Sequence, residues 1–286
     1  MSVWWRIGLA VIALMVLLPA LQLYAVTHPA QISSGRTPTD LGLAYEEVRF
    51  ETEDGVTLAG WFIPAATPSK VAVLAGHGYP AEKGDVLGLV RFLHEDHHLF
   101  LFDHRSFGES ERSMTTVGLR EPLDVVAALD HLASREEVEH VVGFGLSLSA
   151  ATMLMAQDDR LEALVADAGF ARLDLLIGDL YPWLPGPTKL PMVWTTELYA
   201  RAWLGTWPSQ VSPEAAIQEA PFPVLIIHGT EDGLIPVEHA HRLHERAGPQ
   251  GSELFLVEGA GHAGTYGADP ASYEQRVRTF LAAHPP

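Results

Sequence analysis

Residues 140–157, "HVVGFGLSLSAATMLMAQ", hold an apolar run, a serine among small residues and then a helical run. Within them Gly145-Leu146-Ser147-Leu148-Ser149 reads as G-x-S-x-G with its last glycine replaced by serine. A nucleophile elbow needs this strand–serine–helix order. The sharp turn lifts the hydroxyl above the sheet edge, and the next N–H, that of Leu148, points the same way. Gly145 supplies the small residue required two positions before the serine. At position 149 a serine adds only a Cβ and a hydroxyl, and the hydroxyl is expected to bond back to a helix carbonyl. These five residues alone leave open whether Ser147 is a nucleophile or an ordinary serine after a buried strand.

Outward from this stretch the chain alternates short apolar runs with helical segments. The runs are "VAVLAG" (71–76), "HLFLFD" (98–103), "EALVADA" (162–168), "PVLIIHG" (223–229) and "ELFLVEG" (253–259). Strands buried on both faces read this way, and the spacing implies βα crossovers. Before them, "EEVRFETEDGVTLAGWFIP" (46–64) alternates on either side of Asp54-Gly55, a hairpin signal. Residues 117–133 repeat their apolar positions at three and four, which predicts an amphipathic helix. The expected fold is a mostly parallel, doubly wound α/β sheet with an N-terminal antiparallel hairpin.

Acyl transfer by serine requires a base within hydrogen-bond reach and an acid that orients the base. Asp232 follows "PVLIIHG" in "LIIHGTEDGLIP", with Glu231 as its neighbour and competitor. His262 stands in "VEGAGHAGTY" after the last apolar run, where Gly259, Gly261 and Gly264 allow a steep turn. The order Ser147, Asp232, His262, each beyond the end of its own strand, is the order of an α/β hydrolase.

On these residues, and on "DGVTLAGWF", "HGY" (77–79) and "DHRSFGES" (103–110), the chain resembles α/β-hydrolase-fold serine hydrolases. It is similar to their serine aminopeptidase-like and acyl-esterase-like bacterial branch over about residues 45–284. The resemblance implies an α/β-hydrolase fold and a Ser147–Asp232–His262 triad, with Tyr79 N–H joining Leu148 N–H as oxyanion donor. It also implies a structural role for His77 and a bracing role for Asp103 and Arg105. Ser106 stands where that pattern has a glycine.

Composition narrows the partners. Of 286 residues, 36 are acidic and 18 basic, for a formal charge of −18. Such a surface repels phosphate backbones, which argues against nucleic acid. No cysteine is present, which excludes disulfides and thiolate chemistry. The histidine-rich "HEDHH" (94–98) reads as a polar turn rather than a metal site. Neither a Gly-rich phosphate loop nor a dinucleotide fingerprint occurs, so the reading calls for no metal and no organic cofactor.

From Ile7 to Val26 the chain has twenty uncharged residues, flanked by Trp4, Trp5 and Arg6. That length spans a hydrocarbon core of ~30 Å. Two readings stay open: a membrane anchor with the domain outside the cytoplasm, or a signal peptide cleaved after Ala25, giving an exported protein. The expected division is an anchor or signal at 1–26, a polar linker at 27–44 and the hydrolase domain at 45–286.

A cap insertion is expected over about 170–215. Residues 175–213 carry only four charges and hold Trp183, Trp194, Trp203 and Trp207. An apolar insertion of this length reads as a lid, with the tryptophans roofing an acyl pocket. The expected activity is cleavage of a carboxylic ester or thioester of a small-molecule acyl substrate, the acyl group apolar. A peptidase or amidase on the same triad, and a non-catalytic binding module on the same fold, remain the alternatives.

Overall fold

The computed structural model describes residues 3–182, 184 and 186–285. Trp183, one of the four cap tryptophans, lies outside the described residues. The chain begins with a long apolar helix, α1 (Val3–Thr27). The hairpin β1 (Glu46–Glu51) and β2 (Thr57–Ile63) follows, turning at Gly55 with φ 82°. Then come β3 (Val71–Gly76), α2 (Lys83–Val90), β4 (His98–Phe102), α3 (Glu121–Ala133), β5 (His140–Leu146) and α4 (Leu148–Ala156). The second half runs β6 (Leu161–Asp167), α5 (Leu173–Asp179), α6 (Gly186–Leu204), α7 (Pro213–Ala216), β7 (Val224–Gly229) and α8 (Glu238–Arg246). It ends with β8 (Ser252–Val257), α9 (Thr265–Ala268) and α10 (Pro270–Ala283).

The strands form one sheet in the order β1-β2-β4-β3-β5-β6-β7-β8. The pairs β1·β2 and β2·β4 are antiparallel and the remaining pairs parallel. Alternate residues of each strand serve opposite layers, as the two-residue period requires. Phe100 and Phe102 of β4 pack with Val125 and Leu129 of α3 and Leu154 of α4. Leu99 and Leu101 pack on the other face with Leu87 and Val90 of α2 and Val277 and Phe280 of α10. Each such side chain, fully buried, contributes roughly 1.5–3 kcal/mol relative to exposure.

The helix expected from residue 117 begins at Glu121 instead. The buried Glu121 carboxylate accepts hydrogen bonds from Thr115 Oγ1, Thr116 N and Oγ1, and Gly118 N, all within 2.8 Å. It thereby holds residues 115–118 as a turn, with Val117 at φ 51°. The polar stretch before β1 lies along the domain. Gln31 Nε2 donates to Ser110 O at 2.7 Å, and the Ser34 N–H and Oγ both donate to Glu82 Oε1.

Among the described residues α1 is the one helix long and apolar enough to cross a membrane. The carboxyl ends of β3, β5, β6, β7 and β8 meet at one edge of the sheet. Open α/β sheets collect functional loops at that edge.

Candidate active site

Ser147 sits at the joint between β5 and α4 with φ 51° and ψ −104°, a conformation that L-residues rarely adopt. Its N–H donates to Asp167 O on β6 at 2.7 Å, which pins the turn to the sheet. Gly145 makes the turn sterically possible, since a Cβ there would stand 2.5 Å from Ala150 N on α4.

His262, on the loop after β8, places Nε2 3.2 Å from Ser147 Oγ. Its Nδ1 lies 2.7 Å from Asp232 Oδ2, on the loop after β7. The other Asp232 oxygen accepts from the N–H groups of Leu234 (2.9 Å) and Ile235 (2.8 Å). Burial works to raise the Asp232 carboxyl, but the His262 bond and these two amides outweigh it and hold the group below the usual carboxylate range. An ionised Asp232 accepts the Nδ1–H of His262 and leaves the Nε2 lone pair facing the Ser147 hydroxyl. Glu231, the sequence competitor, is exposed, and it is Asp232 that meets His262 Nδ1.

The two expected donors are the N–H groups of Tyr79, on the loop after β3, and of Leu148, the first residue of α4, and both residues line the pocket with Ser147. Neither donates to another described residue. His77 braces the Tyr79 loop. Its Nδ1–H donates to Gly78 O (2.7 Å) and its Nε2 accepts the His104 N–H (3.0 Å). Burial, with His104 nearby, pushes His77 down to about 4, so the ring is neutral in this role.

The serine that breaks the motif behaves differently from its expectation. Its hydroxyl donates not to a helix carbonyl but to His77 O at 2.6 Å, with His104 Nε2 2.8 Å away. Room for that hydroxyl comes from Gly76 on β3, where a Cβ would stand 2.4 Å from Ser149 Oγ.

Asp103 and Arg105 hold the neighbouring loop. Asp103 takes the fully buried Lys83 ammonium at 2.7 Å and the Glu109 N–H at 2.9 Å. Arg105 pairs with Asp124 and, through both terminal nitrogens, with Asp54. Ser106 occupies φ 69°, which explains why a glycine is at home there. In "HEDHH", His94 and His98 bond the carbonyls of Pro64 (2.8 Å) and Ser69 (3.1 Å).

Above Ser147 lies an apolar pocket of about 500 Å³. Its floor is Ser147, Leu148, Tyr79 and Phe170, and its sides are α5 and α6. None of the described lining residues is an acid or a base. The three described cap tryptophans, Trp194, Trp203 and Trp207, are not among its lining residues. Trp194 is 74% exposed, and Trp203 and Trp207 are about half exposed. The buried face of α6 is instead Met192, Thr196 and Ala200, a four-residue period that points Trp194 outward.

Two features escaped the sequence reading. The first is Asp167, fully buried behind the site, which accepts from Thr265 Oγ1 (2.7 Å) and Tyr273 OH (2.8 Å) through Oδ2. Its Oδ1 has no hydrogen-bond partner among the described residues. Burial pushes its carboxyl up to about 6, against those two hydrogen bonds and the nearby His262. The second is α1, whose final turns, Gln22–Thr27, form part of the pocket wall. Gln22, a polar residue in an apolar run, was the available signal, since Tyr181 OH donates to its Oε1 at 2.9 Å.

A family model described as TAP-like protein matches residues 192–284. The protein YfhR of Escherichia coli (strain K12) is 29% identical over 228 residues, 76% of this chain and 73% of that protein. The alpha/beta hydrolase domain-containing protein WAV2 of Arabidopsis thaliana is 27% identical over 236 residues, 78% of this chain and 73% of that protein. Among solved structures, the Pyrococcus furiosus esterase Pf2001 superposes with a TM-score of 0.76 at 25% identity, covering 91% of this chain and 98% of that one.

Proposed function

We propose that this chain, an α/β-hydrolase-fold protein, is a serine hydrolase that cleaves a carboxylic ester or thioester through an acyl-enzyme on Ser147. The observation that carries the reading is the relay Ser147 Oγ–His262 Nε2 (3.2 Å) and His262 Nδ1–Asp232 Oδ2 (2.7 Å) beneath an apolar pocket.

The Ser147 oxygen attacks the acyl carbon as its proton passes to His262 Nε2. Asp232 holds the imidazole in the required tautomer and stabilises the imidazolium. The carbonyl oxygen, now anionic, takes hydrogen bonds from the N–H groups of Tyr79 and Leu148. An oxyanion donor of this kind is worth roughly 3–4 kcal/mol of barrier. Collapse expels the alcohol or thiol, which takes the proton from His262. A water, deprotonated by His262, then attacks the acyl-enzyme and releases the acid and a regenerated Ser147.

The absence of ionisable acids and bases from the described lining favours an apolar acyl group over a peptide. A free amino terminus would lose its hydration there without gaining a carboxylate. The test is labelling with a fluorophosphonate, alongside p-nitrophenyl esters of two to sixteen carbons and aminoacyl anilides. Labelling at Ser147 with ester turnover is the expected result. Preferred anilide turnover would make the chain a peptidase, and no labelling with no turnover would make it a binding module.

A further inference from the structure

We propose that the pocket takes its acyl chain from a lipid bilayer, with α1 acting at once as the membrane span and as a wall of the acyl pocket. The substrate class is a bilayer-resident ester of a long-chain fatty acid; the inference rests on the serine-hydrolase reading above.

The argument starts from length. Twenty-five helical residues rise roughly 37 Å at 1.5 Å each, more than a ~30 Å hydrocarbon core needs. The apolar window of α1 has a mean hydropathy of 2.4, and only 6% of it is buried against the protein. The described side chains of the amino-terminal half are mostly exposed, while the carboxyl-terminal half docks. Met15 and Leu18 pack against the cap cluster that contains Met192. Further along, the Trp203 ring stands edge-on to Tyr24 at 6.4 Å, and Thr115 N–H donates to Thr27 O at 3.1 Å.

These contacts set the depth of the cap. Tyr181 OH bridges Gln22 Oε1 of α1 (2.9 Å) and Thr196 Oγ1 of α6 (2.8 Å), and the Trp203 ring lies beside Tyr24, so α6 runs alongside the second half of α1. If Ile7–Val26 is the span, Met15 is in the interior of the hydrocarbon, and the first turns of α6 enter the bilayer with it. One outward stripe of α6 fits that medium. Leu190, Trp194 and Leu198, at four-residue spacing, are 56%, 74% and 59% exposed. Facing water, such a stripe is an exposed apolar patch; facing lipid, it is matched to its surroundings. Tyr24 and Trp203 then fall near the level where interfacial aromatics collect.

Both helices also face inward. Leu23, Ala25 and Val26 of α1 and Ala200 and Leu204 of α6 line the pocket over Ser147. The acyl pocket is thus walled by the two elements that touch the bilayer. A chain leaving the lipid meets apolar walls before it meets water, and the reacting carbonyl arrives last, at Ser147.

The test uses the full chain reconstituted in phosphatidylcholine vesicles with p-nitrophenyl palmitate, which partitions into the bilayer, and p-nitrophenyl butyrate, which dissolves. Palmitate turnover should follow its mole fraction in the bilayer rather than its bulk concentration. Trp194→Ser with Leu198→Ser should lower palmitate turnover about tenfold and leave butyrate turnover within twofold. Palmitate turnover that tracks bulk concentration, or equal effects of the double variant on both esters, overturns the proposal. So does a double variant that changes the oligomeric state alone, since the stripe would then join two copies of this chain. Loss of the serine-hydrolase reading itself shows separately, as butyrate turnover that survives Ser147→Ala.

Discussion

Ser149 Oγ donates a 2.6 Å hydrogen bond to the carbonyl oxygen of His77, tying the helix after the elbow to the loop that carries Tyr79. The two proposed oxyanion donors sit one residue before Ser149 and two after His77. A single side chain therefore spans the two halves of the site, at the position where the motif departs from glycine.

Replacing that side chain separates stability from chemistry. Ser149→Gly leaves the buried His77 carbonyl and His104 Nε2 without this partner, at a cost of about 1–3 kcal/mol for an unsatisfied group. The melting temperature should fall, while kcat/KM stays within about tenfold, or 1.4 kcal/mol of barrier, because both amides remain. Ser149→Leu should fail on both counts, since the contact with Gly76 leaves no room for a branched side chain. Thermal unfolding and p-nitrophenyl ester turnover measured on both variants check this. Wild-type turnover in Ser149→Leu would count against the geometry.

Asp167 predicts a pH signature in stability. Its carboxyl is pushed up to about 6 by burial, against an ordinary value of 3.8. Below about pH 4 both folded and unfolded chains hold the proton, and the group costs nothing. As pH rises from 4 to 6 the unfolded chain releases the proton first, so stability is lost through that window and stays lost above it. The loss is about 3 kcal/mol at most. Asp167→Asn cannot ionise, so its stability relative to wild type should climb from pH 4 to 6 and then level. Denaturant titrations at pH 4, 5, 6 and 7 read this directly, and a pH-independent difference would refute it.

The wall contributed by α1 predicts a chain-length effect. Ala25 lines the pocket, and Ala25→Trp fills part of the volume that an acyl tail would occupy. Each methylene displaced is worth roughly 0.8 kcal/mol, so two or more shift the ratio of kcat/KM for palmitate over acetate by at least about tenfold. An unchanged ratio would mean that the chain takes another path.

Much of this was legible in the sequence because it depends on local pattern. Strands buried on both faces show as continuous apolar runs, and β3 was read over the same residues, 71–76, that the structure assigns to it. Asp232 and His262 stand out as candidates in the sequence because each follows its own strand, and the structure brings the two side chains within 2.7 Å. What was not legible depends on non-local partners. The Ser149 hydroxyl goes to a carbonyl 72 residues away, and the start of α3 depends on which groups the Glu121 carboxylate gathers. An apolar helix reads alike whether lipid or protein faces it, which hid the α1 wall. The outward turn of Trp194 follows from the smaller residues Thr196 and Ala200 taking the buried face of α6, a choice that composition does not encode.

The relay itself makes the last prediction. Ser147→Ala removes one oxygen from a buried turn, so ester turnover and fluorophosphonate labelling should vanish while the fold persists. His262→Ala should cost nearly as much, because groups that act as a unit are not additive. Asp232→Asn should be severe but smaller. The amide can still accept from Leu234 and Ile235 through its oxygen, yet it presents an N–H to His262 and favours the tautomer whose Nε2 cannot accept the serine proton. A loss of about 10⁴ in kcat is the scale for that change elsewhere. Glu231→Gln should lie within twofold of wild type, since Glu231 is exposed and the imidazole Nδ1 is already bonded to Asp232. Circular dichroism confirms folding of each variant before turnover is compared. If Glu231→Gln abolished turnover and Asp232→Asn spared it, the acid would be the exposed neighbour, and the 2.7 Å contact between Asp232 and His262 would be structural alone.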